Sequence, residues 1–138
     1  MDERCQREIR ELHRFFEAWF TGQLPNGDSE FSRLDEALAE GFQIITPDGR
    51  RVDKPELLQQ VRSAHGAHSD DAFDIEIRNI DVRHVLSPLC LLTYEEWQQH
   101  SQGAPTGRLS SVIFRDVEDA PNGVKWLHVH EVGLDASD

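Results

Sequence analysis

The amino-acid sequence predicts an α+β fold in which three helices come first and pack on a curved, mainly antiparallel sheet. Three observations carry this. Apolar residues recur at helical spacing through the first third of the chain. From Phe73 onward the period changes to two, with turn residues at intervals of about ten positions. Nothing helical separates the last four strand segments, so they follow one another as an antiparallel meander rather than as βαβ units.

Ile9, Leu12, Phe15, Phe16, Trp19 and Phe20 form an aromatic stripe, with Glu8, Arg10, Glu11, Arg14 and Glu17 assigned to the other faces. That is an amphipathic helix ending near Gly22 and Pro25. Phe31, Leu34 and Leu38 mark a short second helix that Asp28 or Ser29 can cap and Gly41 ends. Phe42–Thr46 reads as a strand, Pro47-Asp48-Gly49 as a tight turn, and Arg50–Val52 as the returning arm. Asp53 and Glu56 have the spacing of a capping box, with Val52 and Leu57 as its staple. Leu57, Leu58, Val61 and Ala64 supply the buried face of the third helix.

A polar loop over 64–72 leads into the first long strand. Phe73, Ile75 and Ile77 alternate with charged residues, and then Ile80 and Val82 continue one position out of phase. Such a slip predicts a β-bulge near Asn79 that coils the sheet. Three more strands are expected over 89–99, 109–117 and 124–134. The chain of 138 residues is read as one domain, with its core at about 5–134 and a frayed acidic C-terminus.

The net charge of -12, with no Lys/Arg run to offset it, argues against nucleic-acid and anionic-membrane partners. No apolar stretch approaches the roughly 18 residues of a membrane span, and the first twenty positions do not read as a signal peptide. A cytoplasmic location is expected. Cys5 and Cys90 form no CxxC pair, and Cys90 reads as a buried thiol.

Four segments carry a family resemblance: Phe42-Gln43-Ile44-Ile45-Thr46-Pro47-Asp48-Gly49, Leu92-Thr93-Tyr94-Glu95-Glu96-Trp97, Ser111-Val112-Ile113-Phe114-Arg115 and Trp126-Leu127-His128-Val129-His130. With the element order, they make the chain resemble the NTF2-like (cystatin-like) proteins of the SnoaL-like or DUF4440 kind. It is also similar to the association domain of calcium/calmodulin-dependent protein kinase II. The resemblance implies a cone whose interior holds a small apolar or amphipathic molecule, and a homodimer. Members include polyketide cyclases, isomerases, dehydratases, binding proteins and oligomerisation modules, so the fold alone does not choose among them. Many relatives end in Trp-x-x-Val-His-x-His. Here Trp126, Val129 and His130 match and Val132 replaces the second histidine. Relatives of the kinase domain carry arginines where this chain has Glu96 and Ser111.

The leading expectation is a small-molecule-binding protein whose ligand is partly apolar. The alternatives are a cofactor-independent isomerase, cyclase or dehydratase, or an oligomerisation or partner-binding module. The candidate acid/base residues are His130, which shares a strand face with Trp126 and His128, and Glu96 and Tyr94, which share a face of their own strand. That chemistry needs these faces to point inward; outward they would be solvated or dimer-facing. Phe15, Trp19, Trp126, Arg108 and Ser111 are the candidate ligand contacts. No cofactor or metal is expected. His128 and His130 lack a third ligand nearby in sequence, and His65, His68, Asp70 and Asp71 read as a polar loop. No phosphate-binding loop, dinucleotide fingerprint or nucleophile elbow is present.

Overall fold

The computed structural model describes residues 1–134, so the frayed C-terminus expected over 135–138 lies outside the described residues. Helices α1 (Asp2–Thr21) and α2 (Asp28–Ala37) are followed by the hairpin strands β1 (Leu38–Ile45) and β2 (Arg51–Asp53) and then by α3 (Lys54–Ser63). Four long strands follow: β3 (Asp74–Leu86), β4 (Leu89–Gln99), β5 (Thr106–Asp116) and β6 (Val124–Leu134). The six strands form one sheet in the order β2-β1-β6-β5-β4-β3. All pairs are antiparallel except β1 with β6. The curved sheet wraps the three helices, as the sequence predicts.

The local chemistry explains most boundaries. Gly22, at φ 80°, closes α1 by donating its N–H to Trp19 O. Asp53 caps α3 by accepting from Glu56 N at 3.1 Å. The reciprocal half of the box does not form, because the Glu56 carboxylate takes hydrogen bonds from Arg50 and Gln60. Neither Asp28 nor Ser29 caps α2: the N-cap position is Gly27, and Asp28 instead pairs with Arg62. That helix also stops earlier than its apolar spacing suggests. Leu38 opens β1, where it pairs with Trp126 of β6.

The bulge expected near Asn79 is present. Three residue steps along β3, from Arg78 to Asp81, are matched by two along β4, from Glu95 to Thr93, and Asn79 takes a left-handed φ of 56°. A second extra residue falls between Val82 and His84. Together they bend β3 so that Ile77, Ile80 and Val82 all reach the core.

The core is built from Ile9, Leu12, Trp19, Leu34, Leu92, Val112, Phe114 and Trp126, with Cys5 and Cys90 among them. Both cysteines are buried and free, and burial pushes the Cys5 thiol up to about 12. Glu8, assigned by periodicity to the polar face of α1, is fully buried. Its carboxylate accepts both guanidinium nitrogens of Arg33 (2.6 and 3.1 Å), the Asn122 amide (2.9 Å) and the Trp126 indole N–H (2.9 Å). Four donors replace the water that it loses.

Candidate functional site

A cavity of about 290 Å³ lies between the helices and the concave face of the sheet. The strand register arranges the concave sheet face beneath it in four successive rows, of which Trp126, Val129, Tyr94, Glu131, Glu96 and Arg108 line the cavity itself. Cys90, Phe114 and Trp126 form the first row, and Leu92, Val112 and Val129 the second. Tyr94, Ser110 and Glu131 form the third, and Glu96 and Arg108 the fourth. The floor therefore grades from wholly apolar to polar and charged within four steps. Leu12 of α1, Val61 of α3, and Leu38 and Phe42 of β1 add apolar wall.

The polar end holds two ion pairs. His13, projecting from α1, accepts or donates at both ring nitrogens: Nδ1 lies 2.7 Å from Ile9 O and Nε2 lies 3.3 Å from Glu96 Oε1. Because a carbonyl can only accept, Nδ1 carries a hydrogen, and Nε2 faces the carboxylate. Burial disfavours the imidazolium, but the hydrogen bond and charge of Glu96 outweigh it and hold the His13 pKa above its ordinary value. Glu96 is likewise opposed by burial yet held well below the usual carboxylate range by His13, with Gln98 Nε2 donating at 2.8 Å. Each partner thus favours the charged form of the other against the cost of burial.

Arg108 reaches across to Glu131, with Nη1 3.2 and 3.3 Å from the two carboxylate oxygens. Burial, aided by the nearby Glu96 charge, raises the Glu131 pKa despite that arginine. Tyr94, pushed well above the ordinary phenol value by burial and by Glu96 and Glu131, stays a neutral hydroxyl. Its ring meets His13 edge-on at 5.4 Å and Trp126 at 6.5 Å. Ser110 Oγ, fully buried between Tyr94 and Glu131, has no hydrogen-bond partner among the described residues. The site thus offers neutral and cationic donors beside two carboxylate acceptors, in a place shielded from bulk water.

Of the sequence candidates, Tyr94, Glu96, Trp126 and Arg108 line the cavity together. Trp19 and Phe15 do not. They stack on each other at 5.7 Å behind the wall, where the Trp19 indole N–H donates to Val61 O at 2.7 Å. Their neighbours Phe16 and Phe20, stacked at 5.8 Å, face the cavity instead. His130 is exposed on the outer face of the sheet, opposite Ser111, which is half-buried on that same face. The cause is a bulge in β6: Phe114 pairs with Trp126 but Ile113 pairs with His128, so one residue is inserted at Leu127. Constant alternation puts Trp126, His128 and His130 on one face. The bulge turns both histidines outward and brings Val129 and Glu131 inward.

His13 and Glu131 are the residues that sequence reasoning missed. His13 lies four positions after Ile9 and three before Phe16, on the buried stripe, so its spacing was the available signal. Glu131 had none without the bulge.

Comparisons with known proteins agree with this architecture. No curated protein matches the sequence. An NTF-2 like protein of unknown function from Pseudomonas aeruginosa is 26% identical, with a TM-score of 0.84 over 96% of this chain and 99% of its own. An NTF2-like protein from Cytophaga hutchinsonii is 9% identical, with a TM-score of 0.71 over 97% and 98% of the two chains. The CaMKII hub of S. rosetta is 10% identical, with a TM-score of 0.74 over 96% and 95%. The chain is therefore NTF2-like in fold and shares that fold with the kinase association domain. Its family is set by the match of residues 5–135: the chain belongs to the sucrose-6-phosphate phosphohydrolase C-terminal family.

Proposed function

We propose that this protein, acting as one cytoplasmic NTF2-like domain, binds a small, partly apolar molecule in the cone. The observation that carries this reading is the graded floor. An apolar body would lie on Val129, Leu12 and Phe42, and one polar group would meet Tyr94, Glu131 and Arg108. About 290 Å³ is near the lower limit of small-molecule sites. At roughly 30 Å³ per water-sized group it accommodates about ten non-hydrogen atoms.

Titration with 2-naphthol, a neutral bicyclic alcohol of suitable size, tests the reading by fluorescence. Saturable binding is expected, with loss in Val129→Trp, which fills the cavity. In Tyr94→Phe, which removes one hydroxyl, affinity should fall roughly 2–10-fold, the worth of one hydrogen bond. Equal binding by wild type and Val129→Trp would sink it.

A second reading has a specific observation behind it. A SnoaL-like protein acting by cofactor-independent proton transfer (isomerisation, cyclisation or dehydration) needs an oriented acid/base pair beside a neutral hydrogen-bond donor. The His13–Glu96 pair, next to Tyr94, supplies that chemistry. His130, on the outer face, takes no part in it. Wild-type protein should then accelerate α-proton exchange of 2-tetralone in D2O, and His13→Gln should not. Equal rates with and without protein would remove this reading. The homodimer belongs to the proposal as well, through the sheet face that bears Ser111, His128 and His130 and no helical layer. Sedimentation of a monomer at high concentration would exclude it.

A further inference from the structure

Outside the cone, the loop that follows α3 and the turn that follows β4 bring three metal-ligating side chains together. His68, Asp71 and His100 each offer a donor atom, and the three atoms lie within 4.8 Å of one another. Asp71 Oδ2 is 3.1 Å from His100 Nδ1 and 3.7 Å from His68 Nδ1. A tetrahedral ion with bonds of about 2.0–2.1 Å separates its ligands by about 3.3–3.4 Å. The two measured separations bracket that value, and the third is within 4.8 Å. We propose that His68, Asp71 and His100 form a binding site for a first-row divalent metal ion of the Zn2+, Co2+ or Ni2+ class.

The surroundings are those of an oriented ligand set. The second carboxylate oxygen of Asp71 is held by Ser101 N at 2.7 Å and Ser101 Oγ at 2.6 Å, which aims Oδ2 at the two histidines. The His68 ring lies flat on Phe73, with centroids 4.2 Å apart and planes 8° apart, and Phe73 is itself buried. This stacking limits the directions in which the His68 nitrogens can point. Two imidazoles and one carboxylate select a borderline ion over Ca2+ or Mg2+, which favour all-oxygen shells. With three protein ligands, one position remains for water or an exogenous group. A shallow cleft lined by Thr21, Gln23, Asp74 and Gln99 borders Asp71. The ion would tie the α3–β3 loop to the β4–β5 turn across a sequence separation that only the fold closes.

The site is distinct from the cone, so its failure leaves the small-molecule reading untouched. The test is calorimetric titration of the dialysed, untagged protein with ZnCl2, repeated with CoCl2 by visible absorption. One equivalent should bind, with the intense visible bands of four-coordinate cobalt. His100→Ala and His68→Ala should each weaken binding by about 100-fold or more. Ser101→Ala, which only frees the second oxygen of Asp71, should weaken it by about 10-fold. Circular dichroism of each variant verifies that it folds. His128→Ala with His130→Ala should bind as wild type. Absence of binding by folded wild type, or undiminished binding by His100→Ala, would overturn the proposal.

Discussion

Replacing Glu96 with Gln separates the two forces that act on His13. In the native protein the carboxylate 3.3 Å from Nε2 outweighs the burial of a side chain that is only 6% exposed. The amide keeps the size of the carboxylate and removes its charge, so burial then dominates. The His13 pKa should therefore pass from above its ordinary value of 6.5 to below it. The stability cost follows from the same geometry. Breaking a buried pair whose survivor keeps its charge costs about 3–5 kcal/mol. His13 can shed its proton, which limits the loss to about 1–3 kcal/mol, the cost of an unsatisfied buried polar group.

The pH dependence has a defined sign. Glu96 has a lowered folded pKa, so its contribution is present above its unfolded value near 4.5 and is lost as pH falls through the folded one. His13 has a raised folded pKa, so its contribution is complete below 6.5 and is lost as pH rises through the folded value. The gap between wild type and Glu96→Gln should be widest between those limits and narrow on both sides. Histidine NMR titration with urea unfolding at several pH values measures both quantities. A His13 pKa that stays above 6.5 in the variant would refute the reasoning.

Other consequences are simpler. Arg33→Ala should destabilise by about 3 kcal/mol in urea unfolding, because it leaves the fully buried Glu8 carboxylate with neutral donors only. Gly107→Ala should cost about 1–3 kcal/mol, since its Cβ would stand 2.6 Å from the Trp97 ring, which is boxed in by Arg78 and by its own hydrogen bond to Glu95. Cys5 and Cys90, buried and with raised thiol pKa values, should resist a disulfide reagent in native buffer and react only on unfolding.

The sequence made the fold legible because its strongest signals are periodic. The stripe from Ile9 to Phe20, the Asp53 cap and the phase slip at Asn79 each have one structural meaning, and each appears where it was expected. The site was harder. Tyr94 and Glu96 point inward because β4 alternates without interruption from Cys90 to Glu96. On β6 the inserted residue at Leu127 leaves no compositional trace, because His128, Val129 and His130 suit either phase. The bulge on β3 could be read since its apolar residues change phase visibly; the bulge on β6 could not. His13 and Glu8 were hidden for another reason. The spacing of His13 marks it as buried and that of Glu8 does not, and in both cases the partner that makes the position tolerable, Glu96 for one and Arg33 for the other, is brought in only by the fold. His100 joins His68 and Asp71 in the same way, across a loop and a turn.

The most direct test of the central claim is where a bound molecule sits. Intermolecular NMR contacts between 2-naphthol and selectively labelled protein should connect its ring protons to methyl groups of Leu12 and Val129, and its hydroxyl end to Tyr94. Contacts to His130 and Ser111 on the outer face, with none to Val129, would contradict the account.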